Sequence, residues 1–123
     1  MIIGIGTDII EVSRIAKLVD KYGDKFLKRI YTPTEIDYCE SFTANKYLHY
    51  AARFASKEAF SKAIGTGITE GFKFNEVGVV NEENGKPNIE LRGSLAEKWG
   101  SYKTHITLSH TVDNAVAFLV MEK

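Results

Sequence analysis

Between Asn45 and Gly65 the chain runs without a glycine or a proline, and its apolar and small residues recur at helical spacing. Asn45 as N-cap, a helix from about Lys46 to Ile64, and Gly65-Thr66-Gly67 as its stop form the longest element this sequence predicts. Residues three and four apart on a helix share a face, which stacks Ala51, Ala55, Glu58 and Lys62. Small side chains there let another element approach closely, and a carboxylate among them faces a partner or a cleft. The rest of the chain has to supply the layer on which this helix is buried.

Residues 2–7 read as a buried strand, with Gly4 and Gly6 allowing close backbone approach. A helix follows from about Val12 to Tyr22, with Ile15, Leu18, Val19 and Tyr22 on one face and Gly23 as its stop. Asp24–Arg29 reads as a short helical turn. Thr32, Pro33 and Glu35 mark the start of a helix that runs to about Ser41, with Thr32 as N-cap, Pro33 at N1 and Glu35 at N3. The second half is strand-rich. Phe74–Val80 and Asn88–Leu91 read as strands joined by a turn at Asn84-Gly85, and Ser94–Trp99 as a short helix. Lys103–Ser109 and Ala115–Met121 read as strands around a hairpin turn at residues 111–114. The prediction is an α+β fold, a mainly antiparallel sheet packed against one long helix, in a single domain over residues 1–123.

Charge narrows the partners. Sixteen Lys and Arg balance sixteen Asp and Glu, so net charge argues for neither a nucleic acid nor a membrane surface. The opening apolar run Ile2-Ile3-Gly4-Ile5 is too short for a signal peptide, and no apolar stretch reaches the roughly 18–20 residues needed to span a bilayer. The single cysteine, Cys39, excludes an intrachain disulfide, reads as a small packed side chain and fits a reducing cytoplasm.

Four groups of residues carry chemistry. Asp8 follows the first strand and precedes the first helix, where a carboxylate is a hard-oxygen ligand suited to Mg2+. Asp8 and Glu11 also have capping-box spacing, and local geometry favours Asp8 as an N-cap. Glu58, read locally, forms a surface pair with Lys62 one turn later. Lys62 stands one turn before Gly65-Thr66-Gly67, a place where an ammonium and open backbone N–H groups can hold phosphate oxygens, although such glycines are more often simple helix stops. Arg14, Lys17 and Lys21 recur at steps of three and four, and Lys25, Lys28 and Arg29 extend them into a basic stripe. Between Arg14 and Lys28 only Asp20 and Asp24 are acidic, which favours a docking surface for an acidic partner over a merely solvated face. On the strand near residue 107, His105 and Ser109 share one face and His110 takes the other, so joint chelation by the two histidines is disfavoured. His49 shows no such pattern.

Taken together, these segments resemble the 4′-phosphopantetheinyl transferases. Gly6-Thr7-Asp8 with Arg14 is similar to the family's short amino-terminal signature, and Arg53 to Gly65 is similar to its longer one, built around Lys57-Glu58-Ala59 and Lys62-Ala63. Gly85-Lys86-Pro87 and Leu108-Ser109-His110 match further segments, so the resemblance spans the chain. It implies that Asp8 and Glu58 bind Mg2+ beside the pyrophosphate of coenzyme A, and that Lys62 contacts the phosphates. It implies transfer of the 4′-phosphopantetheine arm from coenzyme A to a serine of an acidic apo-acyl carrier protein, with adenosine 3′,5′-bisphosphate leaving, in support of fatty acid biosynthesis. Attack at phosphorus needs positioning and charge neutralisation, and the serine proton needs a base, either Glu58 or a bound water. Gly65, Thr66, Lys86 and Pro87 would line the cofactor cleft. His105, Ser109, His110 and Thr111 would reach the nucleotide from a neighbouring subunit of a homotrimer. Arg14, Lys17, Lys21, Lys25 and Lys28 would dock the carrier protein. Two rivals use the same residues: another Mg-dependent phosphoryl-transfer or phosphate-hydrolysing enzyme, and a carrier-protein-binding module without activity.

Overall fold

The structure is a computed structural model that describes residues 1–69 and 71–123. Strand β1, Ile2–Glu11, pairs antiparallel with β5, Asn114–Glu122, which pairs antiparallel with β4, Lys103–His110. β5 is therefore central and β1 an edge. Strands β2, Val77–Asn81, and β3, Pro87–Leu91, form a separate antiparallel hairpin, so the predicted single sheet is two. Among the described residues five α-helices complete the fold: α1, Val12–Tyr22; α2, Asp24–Ile30; α3, Pro33–Glu40; α4, Lys46–Ala63; and α5, Gly93–Trp99.

Alternation along β5 sets the layers. Ala115, Ala117, Leu119 and Met121 are buried against α4, while Phe118 on the other face is 42% exposed. Burying a side chain such as Leu119 or Met121 stabilises the fold by about 1.5–3 kcal/mol. The closest approach is between β1 and α4. A β-carbon at Gly6 would overlap the Ala59 carbonyl oxygen, and one at Gly4 the Ala63 carbonyl oxygen. Only glycine permits that contact. Strand alternation then points Asp8, two residues beyond Gly6, at the same side as α4.

The capping box at Thr32 is present as its sequence predicts: Glu35 N donates to Thr32 Oγ1 at 3.1 Å, and Thr32 N donates to Glu35 Oε1 at 3.0 Å. The same spacing at Asp8 and Glu11 forms no cap. β1 continues to Glu11 because its pairing with β5 does, through Ile9 with Val116 and Glu11 with Asn114, so Asp8 lies inside the strand. Glu11 occupies the N-cap position of α1 without a side-chain cap, and Asn45 likewise gives α4 no side-chain cap. The predicted strand from Phe74 begins three residues late. Phe74–Glu76 is a 3-10 turn, because the Glu76 carboxylate accepts from Ser94 N, Ser94 Oγ and Leu95 N and is drawn to the start of α5.

Candidate active site at the crossing of β1 and α4

Asp8 comes from the edge strand and Glu58 from the middle of α4, and the glycine-mediated crossing brings both to one place. Burial pushes the Asp8 carboxyl above the usual carboxylate range, opposed by the Lys62 ammonium beside it and by Arg14. Burial also pushes Glu58 up, and the Asp8 charge adds to that rise, with Lys62 and Arg14 opposing. Two half-buried carboxylates that repel each other are held ready for a cation. Lys62 does not pair with Glu58 as helical spacing predicts. Its Nζ donates to the Thr7 carbonyl at 2.9 Å and lies 3.4 Å from Asp8 Oδ1, so it spans from α4 to β1.

Among the described residues there is no group of three or more His, Cys, Asp and Glu side chains placed to hold a metal ion. What the chain offers is the Asp8 and Glu58 pair. That set fits Mg2+, which takes one or two protein carboxylates and fills its octahedron with waters and substrate phosphates. It does not fit a cation that demands a full protein cage.

Other predicted residues lie along the same helix. Gly65 and Thr66 follow α4 directly, with Gly65 N donating to the Lys62 carbonyl at 3.0 Å and Gly65 at φ 85°. Lys86 and Pro87 lie at the β2–β3 turn, which is tied back to α4. Asn81 Nδ2 donates to the Gly85 carbonyl at 3.1 Å, and Arg53 Nη2 donates to Asn81 Oδ1 at 2.7 Å. The sequence reading gave Arg53 no role. It is 2% exposed, packs 4.2 Å over the Tyr38 ring, and its buried Nε has no hydrogen-bond partner among the described residues. An arginine between two small-residue turns of a buried helix was its signal. His49, one turn before Arg53, is held below its usual range by burial and by the charges of Arg53 and His110.

His105 and Ser109 are not brought to Asp8 within one chain. They stand on the outer face of β4, across β5 from β1, whereas Asp8 faces inward. His105 Nε2 lies 2.8 Å from Glu122 Oε1. The basic residues Arg14, Lys17, Lys21, Lys25 and Lys28 are all exposed along α1 and α2. Burial pushes the Cys39 thiol up to about 12, so no thiolate is available at neutral pH.

Asp8, Glu58 and Lys62 thus meet where the edge strand of an α+β fold crosses its longest described helix. The chain belongs to the 4′-phosphopantetheinyl transferase superfamily, whose sequence model matches residues 4–119. It is 46% identical to the holo-[acyl-carrier-protein] synthase of Koribacter versatilis over 99% of both chains. Its structure is similar to that of the holo-[acyl-carrier-protein] synthase of Neisseria meningitidis, with a TM-score of 0.88, 38% identity and full coverage of both chains. It is also similar to the enzyme of Bacillus anthracis in complex with coenzyme A (3′,5′-ADP), with a TM-score of 0.84, 38% identity, and 100% and 98% of the two chains covered.

Proposed function

We propose that this chain transfers the 4′-phosphopantetheine arm of coenzyme A to a serine of an apo-acyl carrier protein, in a Mg-dependent reaction that releases adenosine 3′,5′-bisphosphate. The observation that carries this reading is the convergence of Asp8, Glu58 and Lys62 in a chain whose relatives bear the holo-[acyl-carrier-protein] synthase name. Asp8 and Glu58 would hold the Mg2+, whose contribution is to neutralise charge on the pyrophosphate. Lys62, which reaches from α4 to Asp8, would contact the phosphate oxygens. Gly65 and Thr66 beyond it, and Lys86 and Pro87 on the hairpin, would line the cofactor cleft. The serine oxygen forms the new bond to phosphorus as the bond to the bisphosphate breaks, and Glu58 or water takes the serine proton.

An exposed apolar sheet face supports the rest of the reading. The outer face of the three-stranded sheet exposes Ile5 at 60%, Ile9 at 66% and Phe118 at 42%, in register with Val116 and Val120. An apolar sheet face of this kind is a surface for another protein chain. In a homotrimer joined there, His105, Ser109, His110 and Thr111 of one subunit would reach a nucleotide held by the next. The exposed stripe of Arg14, Lys17, Lys21, Lys25 and Lys28 suits an acidic carrier-protein helix. No described helix is long and apolar enough to cross a membrane. The reading places the reaction in the cytoplasm, on carrier proteins of fatty acid biosynthesis.

The test is to mix the protein, Mg2+, coenzyme A and an apo-acyl carrier protein and to weigh the carrier. Gain of one phosphopantetheine is the expected result. Binding without a mass change, or phosphate release without arm transfer, sinks the reading.

A further inference from the structure

Lys57 and Glu35 form an ion pair with both side chains fully buried, and the chemistry proposed above uses neither. Lys57 Nζ lies 2.5 Å from Glu35 Oε1 and donates to the Val77 carbonyl at 2.5 Å. Glu35 Oε1 also accepts from Thr32 N at 3.0 Å, and Oε2 accepts from Val79 N at 3.0 Å. The Lys57 ammonium packs 5.4 Å over the Tyr31 ring. One pair thus joins three elements: α3 through Glu35, the β2–β3 hairpin through Val77 and Val79, and α4 through Lys57.

A buried ion pair is weak support for stability, because desolvation offsets its attraction and apolar residues of the same shape serve as well. Its use lies in geometry. Each polar atom is satisfied in one arrangement only, so the pair sets rotation and register where an apolar contact would slide. Lys57 immediately precedes Glu58, and neighbouring residues on a helix point about 100° apart. Anchoring Lys57 to the hairpin therefore sets where Glu58 points. The same anchor sets the distance from Glu58 to the hairpin turn that carries Lys86 and Pro87. Arg53 makes a second tie from α4 to that hairpin, through Asn81.

We propose that Lys57, with Glu35, is a positioning residue. It clamps α4 to the β2–β3 hairpin so that the Glu58 carboxylate faces Asp8 at a fixed distance from the hairpin turn. This rests on the functional reading above. The clamp acts on metal affinity and on kcat, while the carrier-docking stripe on α1 and α2 is untouched.

The test compares wild type with Lys57→Met/Glu35→Gln, which removes both charges and keeps the volume, and with Lys57→Arg, which keeps the charge but moves the anchor. Three quantities are measured: thermal unfolding, Mn2+ affinity by electron paramagnetic resonance, and kcat and KM for the carrier protein. Outer partners that orient a metal ligand are worth roughly 10–100-fold in affinity or activity. The double variant is expected to unfold cooperatively at a lowered temperature, because Gln accepts from only one of Thr32 N and Val79 N, with Mn2+ affinity and kcat of its folded form each lowered about tenfold and carrier KM unchanged. Lys57→Arg is expected to fold and to lose about threefold or more in the same two quantities, as a smaller displacement of the same anchor should. A folded variant of either kind with wild-type Mn2+ affinity and kcat overturns the clamp. Wild type that binds no Mn2+ and transfers no arm instead overturns the functional reading beneath it.

Discussion

The Lys62 ammonium lies 3.4 Å from the Asp8 carboxylate, on a line from α4 to the edge strand, although Glu58 is one turn from it on its own helix. The cation therefore covers one of the two carboxylates assigned to the metal. Lys62→Gln should separate its roles. Removing a preorganised charge at the reacting phosphates is expected to lower kcat by about 10²–10³-fold. Mn2+ affinity should hold or rise, because a competing cation has gone. Lost Mn2+ binding together with lost kcat would show that Lys62 builds the site rather than acting in it.

Asp8 and Glu58 make a stability prediction with a definite sign. Burial raises both carboxyls in the folded, metal-free chain. Each therefore holds its proton more tightly folded than unfolded. That opposes folding at neutral pH, and the penalty fades as pH falls through the folded and then the unfolded value. Asp8→Asn and Glu58→Gln should each raise the unfolding temperature of the metal-free protein at pH 7 and leave it unchanged near pH 3. Both should abolish the stabilisation that Mg2+ with coenzyme A gives wild type. Calorimetry at the two pH values, with and without ligand, decides it. A variant less stable than wild type at pH 7 overturns the assignment of strain to these carboxylates.

The two capping boxes show what local sequence could and could not reveal. Thr32 and Glu35 cap α3 as their spacing predicts, because the nonlocal partners of Glu35, Lys57 and Val79 N, bind its carboxylate without displacing the cap. Asp8 and Glu11 have the same spacing, but β5 pairs with β1 through Glu11 and pulls both residues into strand. Strand pairing across more than a hundred residues is invisible to a window of four. Lys62 is legible as a site residue from its place before the glycines, yet its partner is not, since the β1 crossing decides it. Arg53 and Lys57 escape for one reason: charged residues on a helix read as solvated, and only packing on three sides reveals them as buried.

Gly6 tests whether the crossing builds the site. Its missing β-carbon is what lets β1 meet the Ala59 carbonyl, two residues before Asp8. Gly6→Ala should push the strand from the helix and cost about 1–3 kcal/mol of stability by overpacking. Activity should fall further than the folded fraction explains, since a displacement of about 1 Å can cost 10²-fold. Denaturant unfolding and turnover measured on the same sample separate the two effects. Full specific activity in the folded fraction would mean that Asp8 tolerates the shift.

The basic stripe divides on inspection. Arg14 lies near enough to Asp8 and Glu58 to draw both carboxyls down, so its reversal disturbs the site as well as docking. Lys21 and Lys28 are exposed, and the cations that act on the two carboxyls are Lys62 and Arg14. Lys21→Glu/Lys28→Glu should therefore raise carrier-protein KM and flatten its salt dependence, with coenzyme A binding intact. Titrating coenzyme A by calorimetry beside carrier kinetics at two salt concentrations gives the answer, and equal loss of both would make the stripe structural.

Phe118 sits in the middle of the outer sheet face, between Thr7 of β1 and Thr107 of β4, with exposed Ile5 and Ile9 nearby. Its side chain points away from the core, so a change there leaves the fold's packing alone. Phe118→Glu places a charge where an apolar partner surface is needed, which is costly to bury unpaired. Light scattering should show wild type as a trimer and Phe118→Glu as a single chain with an unchanged circular dichroism spectrum. Arm transfer should fall with the trimer, because His105, Ser109, His110 and Thr111 would no longer reach a neighbour's site. A monomeric variant that transfers the arm at the wild-type rate would place the whole site within one chain and end the shared-site reading.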